Sequence, residues 1–352
     1  MSESLCPTGI TCDGTGPCAT WQQAPDDWPL VGEHTATRLH DGRVLVVGDV
    51  TICDPTGCTT HGGALFDPRT DAWSAVASAP VRLAGRTATL LRDGRVVVVG
   101  GLDHQQRTVA DVFVFDPESG AFTPGPSLVM SLGYHTATRL MDGRVVVVGG
   151  RHRDEHARDV LLSSVQIYDP VAQAWIDRSP LIGARERHVA SLVGNAVVVA
   201  GGVGLTDGLP RVTAATEIYD PATDHWQVLG DLGGPAIGHT MTSLASGSSL
   251  LVVSNSAGAM TKTPFSTWEA TGAMRWARSN HVATLLRDGR VLVAGGTPYQ
   301  SVLTPEIYDP MMGTWSATCD QPLEITQGSA TLLDDGRVLV IAGRPVMFQP
   351  PG

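Results

Sequence analysis

The sequence has no run of basic residues, no long apolar stretch and no Cys pair spaced CxxC. The first absence, with a formal net charge of −11 at pH 7, excludes nucleic acid and anionic membrane surfaces as partners. Both need a cationic footprint. The second excludes a membrane-spanning helix, which takes about 20 consecutive apolar residues. The first residues, MSESLCPTG, hold no basic region followed by an apolar one. No secretory signal is read there, and a cytoplasmic location is expected. The six cysteines point the other way. Cys6, Cys12 and Cys18 lie near the start, Cys53 and Cys58 flank a loop, and Cys319 comes late. Without CxxC spacing they make a poor zinc site, and their even number suggests disulfides tying the N-terminal segment to the body of the chain. An exported form stays open on that count, and so does a redox pair of Cys53 and Cys58.

What is present is a repeat. HTATRLHDGRVLVVGD from His34, RTATLLRDGRVVVVGG from Arg86 and HTATRLMDGRVVVVGG from His135 are three of seven copies. The others begin at His188, His239, His281 and Gly328, at a period near fifty residues. Each copy reads as four short strands. A small-residue and β-branched run comes first, then Asp-Gly, the strongest short hairpin signal and the mark of a type I′ turn. A solid apolar run follows, such as Val145 to Val148 ending in Gly149-Gly150, which suits a strand buried on both faces. The third strand ends in Tyr-Asp-Pro at Tyr168, Tyr219 and Tyr308, or Phe-Asp-Pro at Phe66 and Phe115. Proline stops the ladder there because it has no N–H to donate. An aromatic on the fourth strand follows: Trp73, Phe122, Trp175, Trp226 or Trp315.

The Gly-Gly, the Tyr-Asp-Pro and the spaced Trp resemble the kelch repeat. The resemblance spans nearly the whole chain and implies an all-β fold, a seven-bladed β-propeller, as one domain over residues 1–352. The copy at Gly328 shows two strands before the chain stops. Residues 1–22 are therefore expected to supply the outer strands of the last blade, with residues 10–13 as the third and Trp21 as the fourth-strand aromatic. Blade five lacks both Asp-Gly and Tyr-Asp-Pro and keeps only Trp268, so its outer strands should be short.

Function must come from a site, because kelch propellers serve many roles. In a propeller the first strand of each blade is innermost. His34, His135, His188, His239 and His281 should then form one layer around the channel, joined by Arg86 and broken at Gly328. The residues before them, among them Glu33, Tyr134, Arg187, Asn280 and Gln327, form a more exposed layer. Loops between strands two and three add His61, His104, Arg211, Tyr299 and the run His152, Asp154, Glu155 and His156 to the same mouth. Two readings of the ring compete. Buried histidines need hydrogen-bond partners and nothing more. Alternatively, several neutral imidazoles facing one axis make a transition-metal site, for copper first and for zinc or iron after it.

Tyr134-His135-Thr136 also resembles the copper site of the galactose oxidases, which are seven-bladed kelch propellers. The match is Tyr134 with His135 and a second histidine such as His188 or His239, and it implies a metal-dependent oxidoreductase acting on a small molecule or peptide; the ring itself offers His34, His135, His188, His239 and His281 as metal ligands. Tyr134 and Glu33 would be acid–base groups. Arg86, Arg187, His61, His104, His152 and His156 would touch substrate. No second tyrosine precedes a ring histidine, so the radical cofactor of those enzymes is not matched. The alternatives are a binding scaffold for a protein partner, and a metal-dependent lyase or hydrolase on the same ring.

Overall fold

The computed structural model describes residues 20–22, 25, 28–54, 57–76, 84–153, 156, 158–244, 247, 250–253, 258–262, 267–298, 304–318 and 328–350. Cys6, Cys12, Cys18, Cys319, Asp154, Glu155, Tyr299, Gln327 and the third-strand candidate at residues 10–13 lie outside them.

The second strand of each repeat, such as Val96–Val99, Val145–Val148 and Val338–Ile341, is fully buried. An all-apolar run has no solvent face, so it must be covered on both sides. That need builds the fold. Among the described residues there are seven four-stranded antiparallel sheets. Their inner strands are Leu30–Arg38, Thr87–Leu90, Thr136–Arg139, Val189–Val193, Thr240–Ser243, Val282–Leu285 and Ser329–Leu332. Each inner strand touches the next, and the last touches the first. The ring is closed, and seven apolar clusters fill the spaces between neighbouring sheets. The shared motifs do the packing. Tyr168 stacks on Trp175 with ring centroids 5.1 Å apart, and Tyr308 on Trp315 at 5.0 Å. The Trp175 indole N–H donates to the Pro126 carbonyl of the preceding blade at 2.7 Å, and that of Trp226 to Ser179 at 2.9 Å. Among the described residues the outer strands of blade five are Ala259–Lys262 and Glu269–Thr271.

Two expectations are corrected. The Asp-Gly turns are not type I′. Only the glycine takes a positive φ, 89° at Gly42 and 98° at Gly143. The Leu39 amide donates to the Arg43 carbonyl across a three-residue loop, the pattern of a type I turn closed by a glycine bulge. The aspartate takes a right-handed φ because it has other work: Asp41 accepts from the Arg43 amide at 3.0 Å and from its guanidinium Nε at 2.8 Å. The working unit is Asp-Gly-Arg. Arg43 then reaches the Pro117 carbonyl of the next blade, so this face of the ring is laced together.

The second correction concerns closure. The last blade takes three strands from the C-terminus and one from the N-terminus: Val346–Gln349 is its third strand and Thr20–Gln22 its fourth. Val346, Met347 and Phe348 are all buried, which drives that strand into the sheet. Phe348-Gln349-Pro350 stands where other blades have Tyr-Asp-Pro, and Trp21 stacks on Phe348 at 4.7 Å.

Candidate channel-mouth site

The ring residues lie at the entrance of each inner strand. His135, His188, His239 and His281 are no more than 5 % exposed, and Arg86 is also buried. His34 is half-buried. The imidazoles are engaged around the ring, from blade to blade. His135 Nε2 meets Thr87 Oγ of the preceding blade at 2.8 Å, His188 meets Thr136 at 2.9 Å, and His281 meets Thr240 at 2.9 Å. His34 meets Ser329 at 2.8 Å and closes the series. In each case the hydroxyl belongs to the residue after the previous blade's ring position. Where that residue is Val189, no hydroxyl is present, and the His239 Nε2–H donates to the Ala200 carbonyl at 3.1 Å. The repeated hydroxyl position is visible in the aligned copies, and it is the signal for these clasps.

Burial holds these imidazoles neutral. It pushes the pKa of His135, His188 and His281 down to about 3 and that of His239 down to about 4. Their Nδ1 atoms are buried without a hydrogen-bond partner. The donors are therefore of the right chemical type for a transition metal, but they do not assemble. Among the described residues no three His, Cys, Asp or Glu side chains form a group that could hold a metal ion. Equal depth in the channel does not bring the imidazoles to one point, because each leans onto its neighbouring blade. The ring does not fit the copper centre that the resemblance implies.

The layer above is different. Gly85, Tyr134, Arg187, Gly238 and Asn280 all take left-handed φ, between 54° and 65°. For Tyr134 and Arg187 this costs about 1 kcal/mol each. The conformation turns their peptides along the ring. The Tyr134 amide donates to Gly85 O at 2.8 Å, Arg187 to Tyr134 at 2.9 Å and Asn280 to Gly238 at 2.7 Å. It also aims their side chains over a cavity of about 300 Å³ whose floor includes His135, His188 and His239. The Arg187 guanidinium lies over the Tyr134 ring at 4.1 Å, and Arg151 lies 4.9 Å from the same ring. Arg86 borders the cavity too; burial lowers its pKa to about 10, against the opposing pull of Asp49 and Glu33, so it stays charged at neutral pH. No carboxylate lines this cavity among the described residues.

The remaining candidates divide. Exposed Glu33 and His104 border a second cavity of about 220 Å³ on the other side of Arg86, shared with Asp49 and Asp103. His152 Nδ1 is 2.8 Å from Ser131 Oγ at the root of the blade-three hairpin. His61 pairs with Val50 on the blade-one arm, and His156 is exposed. None of these five residues lines the Tyr134 cavity. Cys53 and Cys58 form a disulfide with each other near the tip of that arm, so neither ties down the N-terminal segment.

Sequence reading missed two buried ion pairs. Arg185 bonds Glu217 at 2.5 Å and Arg278 bonds Glu306 at 2.7 Å. Their signal is an Arg three residues before a ring histidine and a Glu two before the Tyr-Asp-Pro tyrosine. It also missed Glu186, whose carboxyl burial pushes up, 3.5 Å from Arg151.

The Kelch motif family matches residues 86–129 and 133–181, which are blades two and three. The chain carries kelch repeats over these residues. A Kelch-like protein, terF of Aspergillus terreus, is 25 % identical over 227 residues, which is 62 % of this chain and 49 % of that protein. The chain thus spans about half the length of that relative. A solved structure described as a novel fungal alcohol oxidase with catalytic diversity among the AA5 family, in complex with copper, superposes with a TM-score of 0.75 at 19 % identity. It covers 95 % of this kelch chain and 77 % of its own. A structure described as that of YjhT gives a TM-score of 0.59 at 14 % identity, over 77 % of this chain and 95 % of its own. At these identities the likeness is one of fold.

Proposed function

We propose that this kelch propeller is a binding module whose channel mouth recognises a carboxylate-bearing molecule. One observation carries the reading: the Arg187–Tyr134 stack beside Arg86, over a cavity with neutral imidazoles below and no acidic lining. A guanidinium presents a planar fork of donors that matches a carboxylate, and stacking on an aromatic ring holds that fork in place. The chain as a whole carries a net charge of −11, so attraction of an anion depends on these local cations.

Oxidation at a copper ion would need ring histidines that converge on one point. Their clasped nitrogens count against it. Metal content of wild type against His188→Gln, after supply with copper and desalting, separates the two readings. Equal, negligible metal in both favours the binding module; stoichiometric copper lost in the variant favours the oxidase.

Calorimetric titration with benzoate, citrate and phosphate tests the site, with benzamide as the uncharged control. Saturable carboxylate binding is expected, weakened by salt and reduced about tenfold or more in Arg187→Gln. Equal binding of benzoate and benzamide, or no effect of Arg187→Gln, would overturn it.

A further inference from the structure

We infer that the carboxylate is presented by a protein: an extended segment of a partner that places an acidic group at Arg187 and lays apolar side chains on the hairpins of blades three and four. This rests on the anion-binding reading of the mouth and adds the partner to it.

The two hairpins grow from the backbone that carries the Tyr134–Arg187 stack. Gly133 and Arg151 exchange both backbone hydrogen bonds, so the hairpin of Arg151–Arg153 and Asp159–Leu161 starts beside Tyr134. Glu186 pairs with Val203, so the hairpin of Val203–Thr206 and Leu209–Val212 starts beside Arg187. Both rise on the mouth side of the ring, because they link second strands to third strands.

These hairpins and the loops next to them carry apolar side chains in water. Val160, Leu205 and Leu209 are each more than half exposed. So are Ile182 and Val129, which lie on the loops entering blades four and three. Leu205 faces Pro210 and Val203 faces Val212, so one face of the blade-four hairpin is wholly apolar, while Leu209 stands with Arg211 on the other face. Elsewhere on the mouth side, Leu30 is the one other exposed large aliphatic among the described residues. A concentration of this kind around one charged pocket marks an interaction surface.

The chemistry selects the occupant. Strand addition to Leu209–Val212 is disfavoured, because Pro210 has no N–H to offer an incoming strand. Recognition must then run through side chains and charge. Arg187 and the exposed Arg211 give the apolar surface its cations in a chain of net charge −11, Arg151 being paired with Glu186 and Asp159. An acidic partner is repelled by the rest of the surface and accepted here, which sets its register. A free carboxylate would use the pocket and leave the hairpins bare.

Selection of phage-displayed random dodecapeptides on the full chain tests this, followed by titration of the winning synthetic peptide. Winners should combine Asp or Glu with Leu, Ile or Phe. Leu205→Asp with Leu209→Asp should weaken the peptide about tenfold or more while the melting temperature and benzoate binding stay unchanged. Arg187→Gln should weaken peptide and benzoate together. No enrichment on a wild type that binds benzoate overturns the partner and leaves the anion site standing. Winners indifferent to the Leu205 and Leu209 changes overturn it as well, and so does a concentration-dependent dimer abolished by those changes. Loss of both peptide and benzoate binding in wild type removes the site itself.

Discussion

The guanidinium carbon of Arg187 sits 4.1 Å from the centroid of the Tyr134 ring, and the Arg187 amide donates to the Tyr134 carbonyl at 2.9 Å. One left-handed turn of backbone in each blade produces both contacts. The peptide link fixes the two blades relative to each other, and the stack fixes the cation over the cavity. A strained conformation is thereby used twice, once for closure of the ring and once for the chemistry of the mouth.

The clasps predict a stability pattern. Thr136→Val takes the hydroxyl from His188 and leaves its ring with both nitrogens buried and unsatisfied. A loss of about 1–3 kcal/mol is expected in thermal or denaturant unfolding, and the same for Thr240→Val through His281. Val189→Thr should cost nothing, because it supplies the hydroxyl that His239 lacks. Unchanged stability in Thr136→Val would show that the contact carries no weight.

Acid should weaken the fold in a defined window. The four buried ring imidazoles have folded pKa values of about 3 to 4, below their ordinary 6.5. The unfolded chain takes up protons there that the folded protein refuses. The stability they contribute is complete above pH 6.5 and is lost as pH falls toward 4, by about 1.4 kcal/mol per pH unit for each imidazole. Glu186 and Glu306, whose pKa values burial raises, act in the opposite sense lower in the range. Unfolding free energy measured from pH 7 to pH 4 should show a slope that His135→Gln reduces by one proton. A flat profile would contradict the burial of neutral histidine.

Closure gives an asymmetric truncation test. Removing residues 1–22 takes one edge strand from the last blade and uncovers Phe348. Removing residues 345–352 takes an interior strand and leaves Thr20–Gln22 with nothing to pair with. The C-terminal truncation should be insoluble or unfolded, because an interior edge is exposed. The N-terminal one should lower the melting temperature and stay folded. The reverse order would refute the assignment of these strands.

The propeller was legible because its signals repeat: Tyr-Asp-Pro or Phe-Asp-Pro and a spaced tryptophan or phenylalanine mark every complete blade except the fifth, and Gly-Gly follows the second strand in blades two, three, four and six. Closure of the last blade by both termini, with Trp21 on its fourth strand, was legible; its third strand was misassigned because Phe348-Gln349-Pro350 replaces the motif with one aromatic and one proline in common, and Phe348 looks like tail. The aligned copies put the ring residues at one position on every inner strand, but they did not reveal how the imidazoles are engaged. Alignment reveals which residues share a depth, but not whether a side chain points to the axis or to its neighbour. The hydroxyl residues after four of the ring positions, Thr87, Thr136, Thr240 and Ser329, held that answer. The left-handed φ at Tyr134 and Arg187 was illegible, since neither residue type favours it.

The buried ion pair of blade six predicts a sharp single-site effect. Arg278 is fully buried, bonds Glu306, and also donates to the carbonyls of Gly295 and Thr304. Arg278→Met should cost about 3–5 kcal/mol by leaving Glu306 charged and buried. Adding Glu306→Leu should recover a substantial part of that loss. A double variant no better than the single would show that the carbonyl contacts, and not the charge, dominate.

The most direct measurement is a crystal structure of the wild type soaked with benzoate and copper(II) together, with anomalous data collected at the copper edge. The account predicts a carboxylate held between Arg187 and Arg86 beside Tyr134, and no anomalous peak among His135, His188 and His239. A copper ion bonded to two or more of those imidazoles, with no carboxylate at Arg187, would contradict it.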